Sequence, residues 1–225
     1  MVPGGRSHGR MPPDARVKVS QTTVADIEQG ALPQPLDVGV VVGIDVSLTS
    51  TGVAQVSADG CVAGVVRTQG KQRDPLTVTA ARIEHIVSEV SAWLVPGSLV
   101  VIEGPSYDST GGKEWDRAGV WHRIVAEART KGCWVAQAAP KTRAKWAAGH
   151  GSADKARVAV GLRRLMPDHA FISSDDADAA VLALMGAQRI GLRPQTRERL
   201  AMLAAVEWPP TIDMYADAAR APGAF

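Results

Sequence analysis

One stretch near the start of the chain constrains the fold more than any other. Residues 40–44 are valines and an isoleucine interrupted only by Gly43, a composition typical of a strand buried on both faces. The strand ends in an acid, Asp45, and small hydroxyl residues and Gly52 follow it at once. A carboxylate beside a core requires a partner, either a cation or the backbone N–H groups of a tight turn. This stretch alone leaves both partners open.

Strand and helix patterns alternate along the rest of the chain, which predicts an α/β fold. Apolar runs predict strands at 52–57, 61–68, 98–103 and 133–138, and helical spacing predicts helices at 75–95, 115–130, 153–165, 175–190 and 193–206. A hairpin signal at 58–60 makes the first three strands an antiparallel meander. Residues 140–151 are predicted to form a loop with a short helical piece. The result is a five-stranded mixed sheet, with parallel strands after the meander, flanked by helices.

A second acid ends a second buried strand. Glu103 follows the run Leu-Val-Val-Ile at 99–102, and a helix separates this strand from the earlier ones. A strand–helix–strand connection predicts parallel pairing, so Glu103 lies beside Asp45 if the two strands are neighbours. Like charges repel there, and a divalent metal would resolve that conflict.

A third group of acids opens a later predicted helix. Asp175 and Asp178 are three residues apart and face the same side. Acids in a first helical turn also cap exposed amides, and this alternative stands for Asp175 and Asp176. It is weaker for Asp178, whose neighbours are apolar. Together with Asp45 and Glu103, these acids form an all-oxygen set that suits Mg²⁺ or Mn²⁺, in the number a two-metal phosphodiester-hydrolysing site needs.

With acids at these places, the chain resembles the ribonuclease H-like fold and, more narrowly, the RuvC family of Holliday junction resolvases. The resemblance rests on Gly-Ile-Asp at 43–45, Val-Ile-Glu at 101–103, Gly-His-Gly-Ser-Ala-Asp-Lys at 149–155 and Asp-Asp-Ala-Asp-Ala-Ala-Val-Leu-Ala at 175–183. The third motif is the most family-specific, because acids on strands occur across the whole superfamily. The match spans residues 38–191.

The resemblance implies a homodimeric endonuclease that uses two Mg²⁺ or Mn²⁺ ions to nick branched DNA, four-way junctions above all and also flaps. It places catalysis and metal binding on Asp45, Glu103, Asp175 and Asp178, with Asp176 as a substitute for Asp175. Lys155, in the third motif, is predicted to pair with the transition-state phosphate.

The sequence also departs from the family pattern. The place of an aromatic that stacks on a junction base is taken by Ser106, so Tyr107 is predicted to take over that role. A second basic DNA contact falls at Ala144, between Arg143 and Lys145, and either could serve. The long N-terminal segment suggests a divergent branch, with a phage-encoded member as one option.

Positive charge is concentrated in one segment, although the net charge of the chain is only +2. Residues 141–164 carry seven Lys or Arg against the single acid Asp154, and such a segment beside a metal site would attract phosphates. The predicted DNA-binding residues are Tyr107, Lys141, Arg143, Lys145, Lys155 and Arg157. Arg163 and Arg164 are also explained as a solvated helix face. The tryptophans could stack on bases but are more often core or interface residues, and Trp121 is predicted to be a packing or dimer contact.

The remaining patterns set the domain limits and the compartment. Residues 1–37 are predicted to be a disordered extension, 38–191 the nuclease domain, and 192–225 a helix with a loose tail. Cys61 and Cys133 have no paired spacing and predict free thiols in a reducing compartment. No apolar run is long enough for a membrane span, so a cytoplasmic protein is expected, in the host cytoplasm if phage-encoded.

Three rival functions remain at this stage. An actin-like or sugar-kinase-type ATPase also opens with a strand, an Asp and a Ser/Thr/Gly turn, but it needs two such lobes. A non-catalytic nucleic-acid-binding protein of the same fold has no reason to keep four acids. An RNA-directed nuclease of this fold cannot be separated from a DNA-directed one by composition.

Overall fold

A computed structural model describes residues 38–105, 113–194 and 196–213 of the chain. The predicted N-terminal extension, the predicted stacking residue Tyr107 and the end of the predicted tail lie outside these residues. The strands are β1 Val40–Asp45, β2 Ser50–Ser57, β3 Cys61–Arg67, β4 Leu99–Glu103 and β5 Trp134–Ala138. The helices are α1 Leu76–Ser91, α2 Glu114–Thr130, α3 Pro140–Ala148, α4 Lys155–Leu165, α5 Ser174–Arg189 and α6 Arg197–Leu203.

The strands form one mixed sheet in the order β3-β2-β1-β4-β5. β1 pairs antiparallel with β2, and β2 with β3, as the hairpin signal predicted. β1 pairs parallel with β4, and β4 with β5. This is the predicted five-stranded mixed sheet, and the parallel pairing of β1 with β4 is confirmed.

Helices cover both faces of the sheet because alternate strand residues point to opposite sides. On one face Val42 and Ile44 of β1 pack in a core with Ile86 of α1 and Ile124 of α2. On the other face, a second core is built mainly on α5, with contributions from β1, β4, β5, α3, α4 and α6. Residues 176–188 of α5 are all buried, so this helix is a central element of the fold.

Two glycines let α5 lie directly on the sheet. A Cβ atom built at Gly43 of β1 would stand 1.9 Å from the Ala179 carbonyl oxygen of α5. A Cβ atom at Gly52 of β2 would stand 1.9 Å from the Asp175 carbonyl oxygen. Both distances are shorter than any real Cβ contact, so the main chains of helix and sheet meet only because these residues have no side chain.

In the segment predicted as a loop with a short helical piece, the helical part is longer than expected and forms the nine-residue helix α3. Pro140 occupies its first turn, where a missing N–H costs nothing. Gly149 ends the helix with a φ of 89°, in the left-handed region that glycine adopts readily. None of the helices in the described part of the chain combines the length and apolar character that a bilayer crossing requires.

Candidate active site

Three elements bring acidic side chains to the carboxyl edge of the parallel strands. Ile44 of β1 lies opposite Ile102 of β4, so Asp45 and Glu103 follow side by side at the ends of neighbouring strands. α5 lies across this edge and supplies Asp175 from its first turn and Asp178 from the next. Asp178 is 2% exposed, which is rare for an acid unless a cation or hydrogen bonds compensate its charge.

Arg143 of α3 is that compensating cation. Its Nε donates to Glu103 Oε2, and its Nη1 donates to Asp178 Oδ1. The three side chains are only 12%, 15% and 4% exposed, respectively. One buried guanidinium therefore joins the acid of β4 to the acid of α5.

Asp175 lies nearer to solvent and has different partners. Ser50 of β2 donates its hydroxyl to Asp175 Oδ2 at 2.5 Å, and Lys155 Nζ lies 3.3 Å from Asp175 Oδ1. Lys155 also donates to Ser174 Oγ at 3.0 Å, and its side chain is 67% exposed. Asp175 is thus oriented by the sheet on one side and by the first residue of α4 on the other.

Asp176, the alternative to Asp175, performs a structural task. Its carboxylate accepts the backbone N–H groups of Ile172 and Ser173 at 2.8 and 2.9 Å. The Ser173 hydroxyl in turn accepts the Asp176 N–H, which completes a capping box at the start of α5. Its oxygens are therefore committed to the backbone, whereas those of Asp175 and Asp178 face other side chains.

The electrostatics of the cluster show an excess of buried negative charge. Burial, together with the negative charges of Glu103, Asp178 and Asp175, raises the pKa of Asp45 to about 7, although Arg143 opposes the rise. Burial also raises the pKa of Glu103 and that of Asp178, and Arg143 offsets only part of each shift. Burial acts against ionisation of Asp175 too, but hydrogen bonds from Ser50 and Lys155 hold its pKa below the usual value.

The sequence is similar to that of a known nuclease. The crossover junction endodeoxyribonuclease RuvC of Acidiphilium cryptum is 29% identical over 160 residues, covering 67% of this chain and 91% of that protein. This similarity supports the resemblance to RuvC resolvases predicted from the sequence motifs. No family profile matches the sequence.

Solved RuvC structures have the same fold. Thermus thermophilus RuvC superposes with a TM-score of 0.56 at 22% identity, covering 76% of this chain and 99% of the other. T. thermophilus RuvC in complex with a Holliday junction substrate gives 0.55 at 20% identity, with the same coverage. The predicted ribonuclease H-like fold of the RuvC type is therefore confirmed.

The predicted site residues of the RuvC motifs separate into two groups in the structure. Asp45, Glu103, Asp175 and Asp178 converge, and Lys155 touches Asp175. Lys141, Lys145 and Arg157 lie exposed on α3 and α4, and Arg157 Nη1 lies 3.3 Å from His150 Nε2. Tyr107 lies outside the described residues.

Arg143, one of the predicted DNA contacts, forms ion pairs with two buried acids in the structure. Its charge is directed inward to Glu103 and Asp178 rather than outward to solvent. These two acids, with Asp45, outweigh the effect of burial and raise its pKa further. The neighbouring Lys145 is exposed and fits the predicted DNA contact better.

Sequence reasoning missed two supports of the acids. Ser50 was read only as part of a turn, although its hydroxyl orients Asp175. Trp121, read as a packing or dimer contact, donates its Nε1–H to the Glu103 carbonyl oxygen at 2.8 Å and fixes the end of β4. The only available signal for Ser50 was its place among the hydroxyl residues that follow Asp45.

The acids fit a divalent metal by chemistry, but in this arrangement their oxygens are engaged elsewhere. Within the described ranges, no three Asp, Glu, His or Cys side chains are placed so that they could hold an ion directly. Arg143 holds Glu103 and Asp178, and Lys155 holds Asp175. The donor set is nevertheless all carboxylate and carries uncompensated charge, which is what Mg²⁺ and Mn²⁺ sites require.

Proposed function

We propose that this protein is a metal-dependent endonuclease that resolves four-way DNA junctions and cuts other branched DNA. One observation supports this most directly. Four carboxylates from β1, β4 and α5, far apart in sequence, meet at one sheet edge, and burial disfavours the charge of three of them, Asp45, Glu103 and Asp178. A fold gains no stability from such a set, so a functional cation is the simplest explanation.

The residues that would hold the metal are Asp45, Glu103, Asp175 and Asp178. Divalent ions bound there would supply an activated water and stabilise the leaving oxygen of the phosphodiester, with two ions in the arrangement typical of such nucleases. Ser50 orients Asp175, and Trp121 fixes the backbone at Glu103. Lys155 extends a mostly exposed ammonium beside Asp175, where it can pair with a phosphate.

Branched DNA is the substrate that the relatives support. The similar A. cryptum protein is named a crossover junction endodeoxyribonuclease, and the T. thermophilus relative was solved with a Holliday junction substrate. Lys141, Lys145 and Arg157 supply exposed positive charge on the two helices next to the acids, which suits a phosphate backbone. We propose a homodimer, because a two-fold assembly matches a substrate with paired arms.

A cleavage assay with a matched acid variant tests this function. Purified protein is offered a four-way junction, a flap, a linear duplex and an RNA–DNA hybrid with Mg²⁺ or Mn²⁺. We expect metal-dependent nicking of branched DNA, abolished by Asp45→Asn because a ligand is lost. Asp59→Asn, on the exposed β2–β3 turn, removes one acid elsewhere and should cut normally.

Three outcomes would contradict the proposal. They are nicking that persists in Asp45→Asn, nicking that needs no metal, and cutting of the hybrid in preference to every DNA substrate. The last would favour an RNA-directed nuclease of the same fold.

A further inference from the structure

Arg143 contacts carboxylate oxygens that a metal would need. Its guanidinium contacts Glu103 and Asp178 at once, and these are two of the four acids assigned above as ligands. Its side chain is 12% exposed, so little water competes for the same oxygens. In the described part of the chain its only ion-pair partners are these two acids.

A guanidinium and a divalent ion cannot share these oxygens. An ion held by a carboxylate lies about 2 Å from its oxygen atoms, which is closer than a hydrogen-bonded nitrogen and in the same direction. Two like charges so close in a buried site repel strongly, since the interior screens them poorly. Glu103 Oε2 and Asp178 Oδ1 therefore bind either Arg143 or a metal.

We propose that Arg143 is an internal counter-ion that keeps the acids assembled before a metal binds, and that it must leave Glu103 and Asp178 when the metal binds. This inference rests on the proposed function, because it takes these two acids as ligands. Arg143 then has two effects. It lowers the affinity of the site for metal, and it stabilises the metal-free fold.

The structure allows the guanidinium to leave while α3 stays in place. Ala144, Trp146 and Ala147 are buried and anchor the helix, whereas Lys141 and Lys145 on the same helix are exposed. Rotation about the side-chain bonds of Arg143 can carry its charge towards this exposed side. The released guanidinium would then offer a bidentate phosphate donor beside the acids only when an ion is bound.

Calorimetric titration with Mn²⁺ compares Arg143→Gln with Lys145→Gln. Both variants lose one positive charge from α3, but only the first frees Glu103 and Asp178. We expect Arg143→Gln to bind Mn²⁺ about tenfold more tightly than wild type, since a competing cation is gone, and Lys145→Gln to change the affinity far less.

Arg143→Gln should also have a lower Tm without metal and should regain most of the loss at saturating Mn²⁺. If Arg143 had only a packing role, its replacement by Gln would lower the Tm equally with and without Mn²⁺.

A labelling experiment on the wild-type protein does not depend on the folding of a variant. Phenylglyoxal modifies accessible guanidinium groups, and peptide mass spectrometry reports the extent at each arginine. Mn²⁺ should increase the modification of Arg143, while Arg189, paired with Asp213 away from the acids, should not change.

The outcomes separate the two proposals. If wild type binds Mn²⁺ while Arg143 stays protected and Arg143→Gln binds no more tightly, the counter-ion inference is overturned and the nuclease proposal stands. If neither wild type nor variant binds Mn²⁺, the metal site itself is wrong and both proposals fail.

Discussion

Asp45 is the residue whose chemistry depends most on burial. It follows a strand whose Val41, Val42 and Ile44 are completely buried, and three other acids surround it. Its pKa of about 7, against an ordinary value of 3.8, means that the metal-free fold prefers the protonated acid. The stability that comes from this proton is fully present below pH 4 and is lost as the pH rises through 7.

Removing the charge of Asp45 should therefore stabilise the metal-free protein at neutral and basic pH. In EDTA at pH 8 we expect Asp45→Asn to unfold at a higher temperature than wild type, with an unfolding free energy larger by on the order of 1–3 kcal/mol. At pH 4 the two should differ little. Thermal unfolding across this pH range, with Asp59→Asn as the control, measures the effect. If Asp45→Asn were less stable than wild type at pH 8, the charge of Asp45 would not be unfavourable in the metal-free fold.

Substitutions at the adjacent acids Asp175 and Asp176 should have different effects, one on activity and the other on stability. Asp176→Asn disrupts the capping box of α5 and should cost about 1 kcal/mol of unfolding free energy, while metal-dependent nicking remains. Asp175→Asn removes a proposed ligand and should abolish nicking with little loss of stability. Urea unfolding and the junction assay on both variants test this pair. The reverse result would identify Asp176 as the ligand.

At the scale of elements, the position of α5 on β1 sets the distance between Asp45 and Asp178. Gly43 lies under the α5 backbone at Ala179, only one residue from Asp178, so a side chain at Gly43 would push the helix away from the strand that carries Asp45. Neither main chain has a flexible group that could yield. The separation of the two acids therefore depends on a position that bears no functional group.

Gly43→Ala should damage both stability and activity. We expect a loss of at least about 2 kcal/mol in unfolding free energy, because the inserted methyl overpacks a filled contact, and a strong drop in Mn²⁺ affinity. Gly39→Ala is the matched control, since a Cβ there would meet nothing within 4 Å. Chemical unfolding and calorimetry measure the two effects. A Gly43→Ala protein that binds Mn²⁺ as tightly as wild type would contradict the role given to this contact.

At the scale of the whole molecule, exposed charge is distributed unevenly around the acids. Lys141 and Lys145 on α3 and Arg157 on α4 are exposed on the helices that flank the site, whereas Arg129 is exposed in the last turn of α2. α2 begins after β4 and runs back along the sheet, so its last turn lies far from the acid edge. DNA drawn to the site should therefore contact the first three residues and not Arg129.

The salt dependence of DNA binding tests this distribution. Each of Lys141→Gln, Lys145→Gln and Arg157→Gln should reduce the slope of log K against log salt by about 1, the value for one lost phosphate contact. Arg129→Gln should leave the slope unchanged. Fluorescence anisotropy of a labelled junction in EDTA, at several salt concentrations, gives the slopes. Equal slopes for all four variants would argue against DNA binding on this face.

The sequence predicts the fold and the acids well because both follow from local patterns. Apolar runs that end in Asp45 and Glu103 define β1 and β4, and the parallel pairing that a crossover helix requires places the two acids together. The spacing of Asp175 and Asp178 likewise follows from helical geometry.

The partners of the acids could not be predicted because they depend on packing between distant segments. Arg143 is 40 residues from Glu103, and Ser50 is 125 residues from Asp175. Arg143 points inward only because α3 docks against the sheet edge. α3 itself was predicted only as a short helical piece within a loop, although Pro140 marked a helix start. A basic residue in a basic segment gives no sign that it turns towards buried acids.

The main-chain contact between α5 and the sheet has a consequence for how this protein can diverge. Because backbone atoms set the spacing between Asp45 and Asp178, the apolar layer shared with α1 and α2 on the opposite face should accept volume-conserving exchanges of apolar side chains more readily during evolution. The two faces of the sheet should therefore differ in mutational tolerance. The face covered by α1 and α2 should tolerate more substitutions than the face where Gly43 and Gly52 contact α5.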